Sequence, residues 1–146
     1  MKMKLQYAIF TWLMLMAVSC TKDTTYEDTP IPQSENAIDV EQELLGVVND
    51  YRVSLGYNTL QYSTVAYEYA NKHTDYMISK GSLSHDNFSS RASNISAEVN
   101  AEFVAENVAK DYKDATQAFQ GWLGSANHKK TMEGEFTHTA VSVKKD

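Results

Sequence analysis

The sequence predicts an α+β or layered α-β-α fold, and three observations carry that reading. Apolar residues recur at three- and four-residue steps in several separate stretches, which is the helical period. One late stretch, Thr137 to Val143, is rich in β-branched residues and bounded by charge, which is the pattern of a strand. Helices outnumber strands, but the strand signals come late and lie between helices, so a helical bundle is excluded.

With 146 residues the chain has room for one domain and not for two comfortable ones. Hydrophobic residues at 42% and charged residues at 22% give a globular balance, which excludes a disordered chain. The formal net charge is −6 and no Lys/Arg stripe exists to meet phosphates, so no nucleic-acid partner is expected. The chain holds one cysteine, Cys20, which excludes an intramolecular disulfide and a cysteine-based zinc cluster.

The N-terminus explains that cysteine. Met1 to Lys4 is basic, Leu5 to Val18 is apolar, and Ser19 stands before Cys20, which is a secretory signal layout. The run is shorter than the roughly 20 helical residues that span a bilayer. Ala17-Val18-Ser19-Cys20 resembles the bacterial lipobox, whose cysteine is acylated and becomes the new N-terminus. Residues 1–19 are therefore expected to be a lipoprotein signal peptide. Cys20 is expected to carry the lipid that tethers the protein to a bacterial membrane, outside the cytoplasm. An ordinary signal peptide with an incidental cysteine is the alternative. Residues 20–37 hold both prolines, Pro30 and Pro32, among Thr, Asp and Glu, and read as a hydrated tether. Lys22-Asp23 is similar to charged tags that direct some lipoproteins to the outer-membrane surface.

The folded domain is expected over residues 38–146. Asp39 with Gln42 three places on predicts a capped helix whose stripe is Leu44, Leu45, Val47, Val48 and Tyr51, stopped by Gly56. A second helix is predicted from Ser63 to Gly81, with Ala66, Tyr69, Ala70, His73 and Met77 on one face. A polar loop around His85 follows, then a short helix between Ser89 and Ala101. Val104 to Ala109 reads as a short strand. Asp114 caps another helix bearing Ala115, Ala118, Phe119 and Trp122 and ending near Gly124. In the final strand Val141 and Val143 should face the core, leaving His138, Ala140 and Ser142 on the other side.

The same map sorts the titratable residues. His73 lies in an apolar stripe and reads as a buried histidine with a satisfied ring. His85 sits in a polar loop where packing does not demand an imidazole. His128 follows the helix ending near Gly124, where it would complement the helix dipole. His138 lies on the small-residue face of the last strand, as a groove would require. Glu106 is a carboxylate inside an apolar stretch and needs a partner unless it is exposed. His85, Glu106 and His138 are therefore expected to face one cleft, with His128 at its rim. No HExxH helix, GxSxG elbow, P-loop or GxGxxG turn is present.

Six elements in order then carry a resemblance: Asn49-x-x-Arg52-x-x-x-Gly56, Ala70-x-x-His73-x-x-x-Met77, Ser84-His85-Asp86, Glu106-Asn107-Val108-Ala109, Trp122-x-x-Ser125-x-x-His128 and Phe136-Thr137-His138-x-x-Val141. Together they resemble the bacterial CAP domain, the SCP-like extracellular family related to cysteine-rich secretory proteins, antigen-5 and plant pathogenesis-related proteins. The resemblance runs from about Val40 to Val143. It implies a three-layer α-β-α sandwich with a small antiparallel sheet, and one further strand beyond the point where Val143-Lys144-Lys145-Asp146 stops. It also implies a central groove where two histidines and two glutamates gather, in some members around a divalent metal such as zinc.

Carried over by position, His85 resembles the first groove histidine and Glu106 the glutamate of the Glu-Asn element. His138 stands nearest the last histidine, which makes His85 and His138 the implied metal ligands. The second glutamate falls at Ser125, so the tetrad is incomplete. Two functions from different classes follow. One is a membrane-tethered binding module whose groove takes a lipid, peptide or glycan. The other is a metal-assisted, protease-like hydrolase using the same groove. The missing glutamate and the lack of an evident nucleophile favour binding.

Overall fold

The computed structural model describes residues 33–145, which form α1 (Ile38–Ser54), β1 (Gln61–Tyr62), α2 (Thr64–Lys80), α3 (Phe88–Val99), α4 (Ala115–Leu123), α5 (Ala126–Met132) and β2 (His138–Thr139). The expected signal peptide and Cys20 lie outside the described residues, as does most of the tether. No described helix is long and apolar enough to cross a membrane.

The stripe on α1 decides where the core lies. Leu44 and Val48 meet Ala115 and Phe119 of α4, and Leu60 and Met132 complete the buried cluster. Ala115 is fully buried, and its small side chain lets α1 and α4 approach closely. Tyr51 adds an edge-on contact to Phe119, with ring centroids 5.5 Å apart. The start of α1 departs from the expectation. Ala37 occupies the cap position without a side-chain bond, and Asp39 lies inside the first turn, where the helix dipole favours acid. Glu41 is buried there because its carboxylate accepts bonds from Asn36 Nδ2 (2.7 Å), the Tyr67 hydroxyl (2.9 Å) and the Val143 amide (2.9 Å). One side chain thus ties the chain entry, α2 and the C-terminal segment together.

Both ends of α2 fall where the sequence places them. Ser63 Oγ accepts the Ala66 amide at 3.2 Å, and Gly81 ends the helix with φ of 70°, a left-handed conformation that glycine adopts without strain. Asp114 caps α4 as expected, accepting the Gln117 amide at 2.8 Å. The short helix α5 is not foreseen, and it places His128 inside a helix rather than beyond the end of one.

The architecture is α+β, as expected, with one correction. The two named strands run parallel, in register Gln61↔His138 and Tyr62↔Thr139, and not antiparallel. The cause is connectivity: β1 and β2 are separated by α2 to α5, a crossover long enough to return the chain in the same direction. Among the described residues, antiparallel pairing is confined to the bridge Asn36↔Lys144. Val104–Ala109 forms no strand, and only His138–Thr139 of the long final stretch joins a ladder.

The final segment still alternates as expected. Val141 packs on the core, while Ser142 donates to Asn71 Oδ1 (2.7 Å) and Lys144 pairs with Asp75 (2.7 Å), both on α2. Helical layers therefore lie on either side of this segment. Ser34–Ala37, expected within the tether, belong to the folded part: the Ser34 amide donates to Asp75 and Ala37 is buried.

Arg52 is fully buried, which no lone charge tolerates. Its guanidinium donates to the carbonyls of Asn58 (2.8 Å), Met132 (2.6 Å) and Gly134 (2.9 Å), fastening α1 to the end of α5. Burial draws its pKa below the ordinary arginine value.

Candidate ligand-binding groove

A groove of about 1420 Å³ opens between α2, α3, the segment 100–114 and the C-terminal segment. One wall is the face of α2 that carries Ala66, Tyr69, Ala70, His73 and Met77. The opposite wall comes from α3, which has no buried residue and turns Phe88, Ile95 and Val99 toward the groove. Asn87 and Asn100 bracket α3 with φ of 56° and 53°, a left-handed region that asparagine enters more readily than most residues. Leu44, Val48 and Ala118 of the core reach the groove from below.

Polar chemistry gathers on Glu106. Its Oε1 lies 2.8 Å from His85 Nδ1, so the expected His85–Glu106 contact is present. Two further residues share that carboxylate. Arg91 of α3 donates to Oε2 from Nε (3.2 Å) and Nη2 (2.7 Å), and Nη2 also reaches Oε1 (3.0 Å). His73 of α2 places Nε2 3.8 Å from Oε1 and 2.7 Å from the Ser84 carbonyl, and its ring stacks on Tyr76. His73 is buried and lines the groove, whereas His85 is about half exposed and, contrary to expectation, does not line it, because its loop turns the ring to solvent while Nδ1 meets Glu106.

The other expected residues are not part of this cluster. His138 lines the groove, but its Nδ1 lies 2.9 Å from Thr137 Oγ1 and it makes no contact with Glu106. His128 does not line the groove. Its backbone carbonyl accepts Asn107 Nδ2 at 3.1 Å, which fixes the residue next to Glu106. Arg91 and the approach of His73 were not foreseen. The available signal was residue type: the chain has only two arginines, Arg52 and Arg91, and each serves a forked contact that lysine cannot make.

This donor set does not fit a divalent metal. A guanidinium already covers both oxygens of Glu106, placing positive charge where the ion would have to approach. Among the described residues no group of three or more His, Cys, Asp or Glu side chains is placed to hold an ion. Zinc at stoichiometric concentration is expected to leave the melting temperature unchanged. A rise of several degrees would show by mass action that the cluster opens to the ion.

The loop carrying His85 is held by Asp86, which accepts bonds from the Tyr76 hydroxyl (2.7 Å) and Lys80. Lys80 first, then Tyr76 and Ser84, hold the Asp86 carboxyl well below the usual carboxylate range. The unfolded chain therefore takes up this proton at higher pH than the folded one. The stabilisation is complete above the ordinary value and is lost as pH falls toward the depressed one. Thermal melts between about pH 5 and pH 2.5 should fall less steeply for Asp86→Asn than for the native protein. Parallel slopes would contradict this role.

Comparisons with known proteins bear on the family and the fold. The model of the CAP family, described as the cysteine-rich secretory protein family, matches residues 45–146. An uncharacterized membrane protein of Bacillus subtilis (strain 168), YlbC, is 29% identical over 107 residues, covering 70% of this chain and 31% of that protein. The crystal structure of an extracellular protein containing a SCP domain from Bacillus anthracis str. Ames superposes with a TM-score of 0.66 at 26% identity. That match covers 73% of this chain and 37% of the other. The chain thus spans about a third of the length of each of these two proteins.

Proposed function

Because the chain belongs to the cysteine-rich secretory protein (CAP) family, we propose that it is a membrane-tethered, extracytoplasmic binding module whose groove holds its ligand beside Glu106. The observation that carries this reading is the cluster itself. A carboxylate, a guanidinium and the buried imidazole of His73 converge on the lining of a large and otherwise mainly apolar groove, and the exposed His85 contacts the same carboxylate. A few fixed polar groups on apolar walls orient a ligand, which is the usual composition of a binding site. Arg91 uses its fork on Glu106, so the cluster is preorganised before any ligand arrives. His73 presents its buried ring beside the same carboxylate, and the half-exposed His85 holds that carboxylate through Nδ1.

The location rests on separate grounds. The signal layout before Cys20 supports lipidation of that residue, and a named membrane protein and a named extracellular protein among the similar proteins accord with an extracytoplasmic site. A Cys20→Ala variant is expected to remain uncut or to be released in soluble form. If it is cleaved and still partitions with membranes after a carbonate wash, the lipid anchor is refuted. Ligand occupancy is tested separately, by mass spectrometry of the undenatured protein and its Glu106→Gln variant.

A further inference from the structure

One wall of the groove is held by the same atoms that hold the first described residues of the folded part. Glu41 Oε1 accepts Asn36 Nδ2 (2.7 Å) and the Val143 amide (2.9 Å). Asn71 Oδ1 accepts Asn36 Nδ2 (2.6 Å) and the Ser142 hydroxyl (2.7 Å). Asp75 Oδ1 accepts the Ser34 amide (3.1 Å) and Lys144 Nζ (2.7 Å). Each of these three oxygens, one on α1 and two on α2, is thus shared between residues 34–36 and residues 142–144. The two segments also touch directly: the Ala37 amide donates to the Val143 carbonyl at 2.8 Å, beside the bridge Asn36↔Lys144. Ser142, Val143 and Lys144 line the groove.

Sharing makes the bonds depend on one another. Two donors on one oxygen fix its direction, and when one leaves, the oxygen turns or meets water and the other bond weakens. The effect is large here because Glu41 and Asp75 are buried and the Lys144 side chain is only 4% exposed. None of these residues belongs to the buried apolar cluster of Leu44, Val48, Leu60, Ala115, Phe119 and Met132, so the two segments can open together while the core stays closed. We propose that residues 34–37 are a strap that couples the N-terminal tether to the groove: drawing or cutting the strap away from α2 frees the wall 142–144 with the core intact. Residues 34–37 are where an anchor at Cys20 would pull on the domain, so the strap gives tension or cleavage at this point a route to the groove. The coupling is reciprocal, and loosening the wall frees the strap in turn.

This proposal takes its consequence for ligands from the binding-groove reading, but its test reads the backbone and needs no ligand, so either fails without the other. Residue-resolved hydrogen exchange of the full chain in detergent follows three amides that the network holds, those of Ser34, Ala37 and Val143. Asn36→Ala removes none of these three bonds and deletes the donor that Glu41 and Asn71 share. Exchange at all three amides is expected to quicken together by about tenfold or more, with the Phe119 amide of α4 unchanged. Ser142→Ala cuts the network from the wall side and is expected to quicken Ser34 and Ala37 as well as Val143. Quickening confined to the segment that carries the substitution overturns the coupling, and so does no change in either variant. Equal quickening at Phe119, or failure of both variants to fold, overturns local opening of the strap.

Discussion

Arg52→Ala is expected to leave the domain largely unfolded at 37 °C. The substitution removes the donors for three carbonyls, those of Asn58, Met132 and Gly134, in a place where Arg52 itself is fully excluded from water. Each unpaired carbonyl costs about 1–3 kcal/mol unless water enters, and the emptied site adds the cost of a cavity. A loss on the order of 4 kcal/mol is comparable to the whole stability of a small domain. Arg52→Lys should recover only part of it, because one ammonium does not reach three carbonyls with the geometry of a fork. Urea denaturation measures the difference. A midpoint within error of the native protein would show that α1 and the end of α5 are held together by packing alone.

Glu106→Ala is expected to cost about 2–4 kcal/mol and to abolish ligand retention. The carboxylate accepts three bonds from Arg91, whose side chain is only 13% exposed, so its removal leaves a poorly hydrated guanidinium. For a domain of this size the melting temperature should fall by about 10–20 °C. Glu106→Gln preserves shape and some hydrogen bonds but removes the charge, and should fall between the two. Arg91→Ala in the Glu106→Ala background should add little further cost, since the pair acts as a unit. Full additivity of the two losses would contradict the pairing.

The parts of this structure that were readable in the sequence are those set by local chemistry. Ser63 and Gly81 delimit α2 because a hydroxyl caps one end and a left-handed glycine closes the other. Asp114 does the same for α4. His85 and Glu106 stood out because a polar loop and an apolar stretch give no packing reason for them, and they do meet. What depends on tertiary arrangement was not readable. The parallel direction of β1 and β2 follows from where four intervening helices return the chain. α5 is short and polar, so no apolar stripe announces it. His73 was assigned to the interior, correctly, but only the packing of α2 against the Ser84 loop brings its ring to Glu106. His138 lies on the expected face of its strand, yet its ring turns to Thr137.

The most direct test of the binding-module reading is native mass spectrometry of the protein isolated, without denaturation, from the cells that make it. The expected spectrum shows a noncovalent adduct that is released chemically intact on unfolding and is missing from a folded Glu106→Gln variant. An adduct retained equally by both would place the ligand elsewhere than the Glu106 cluster. Bare protein in both samples would contradict a groove that holds a ligand.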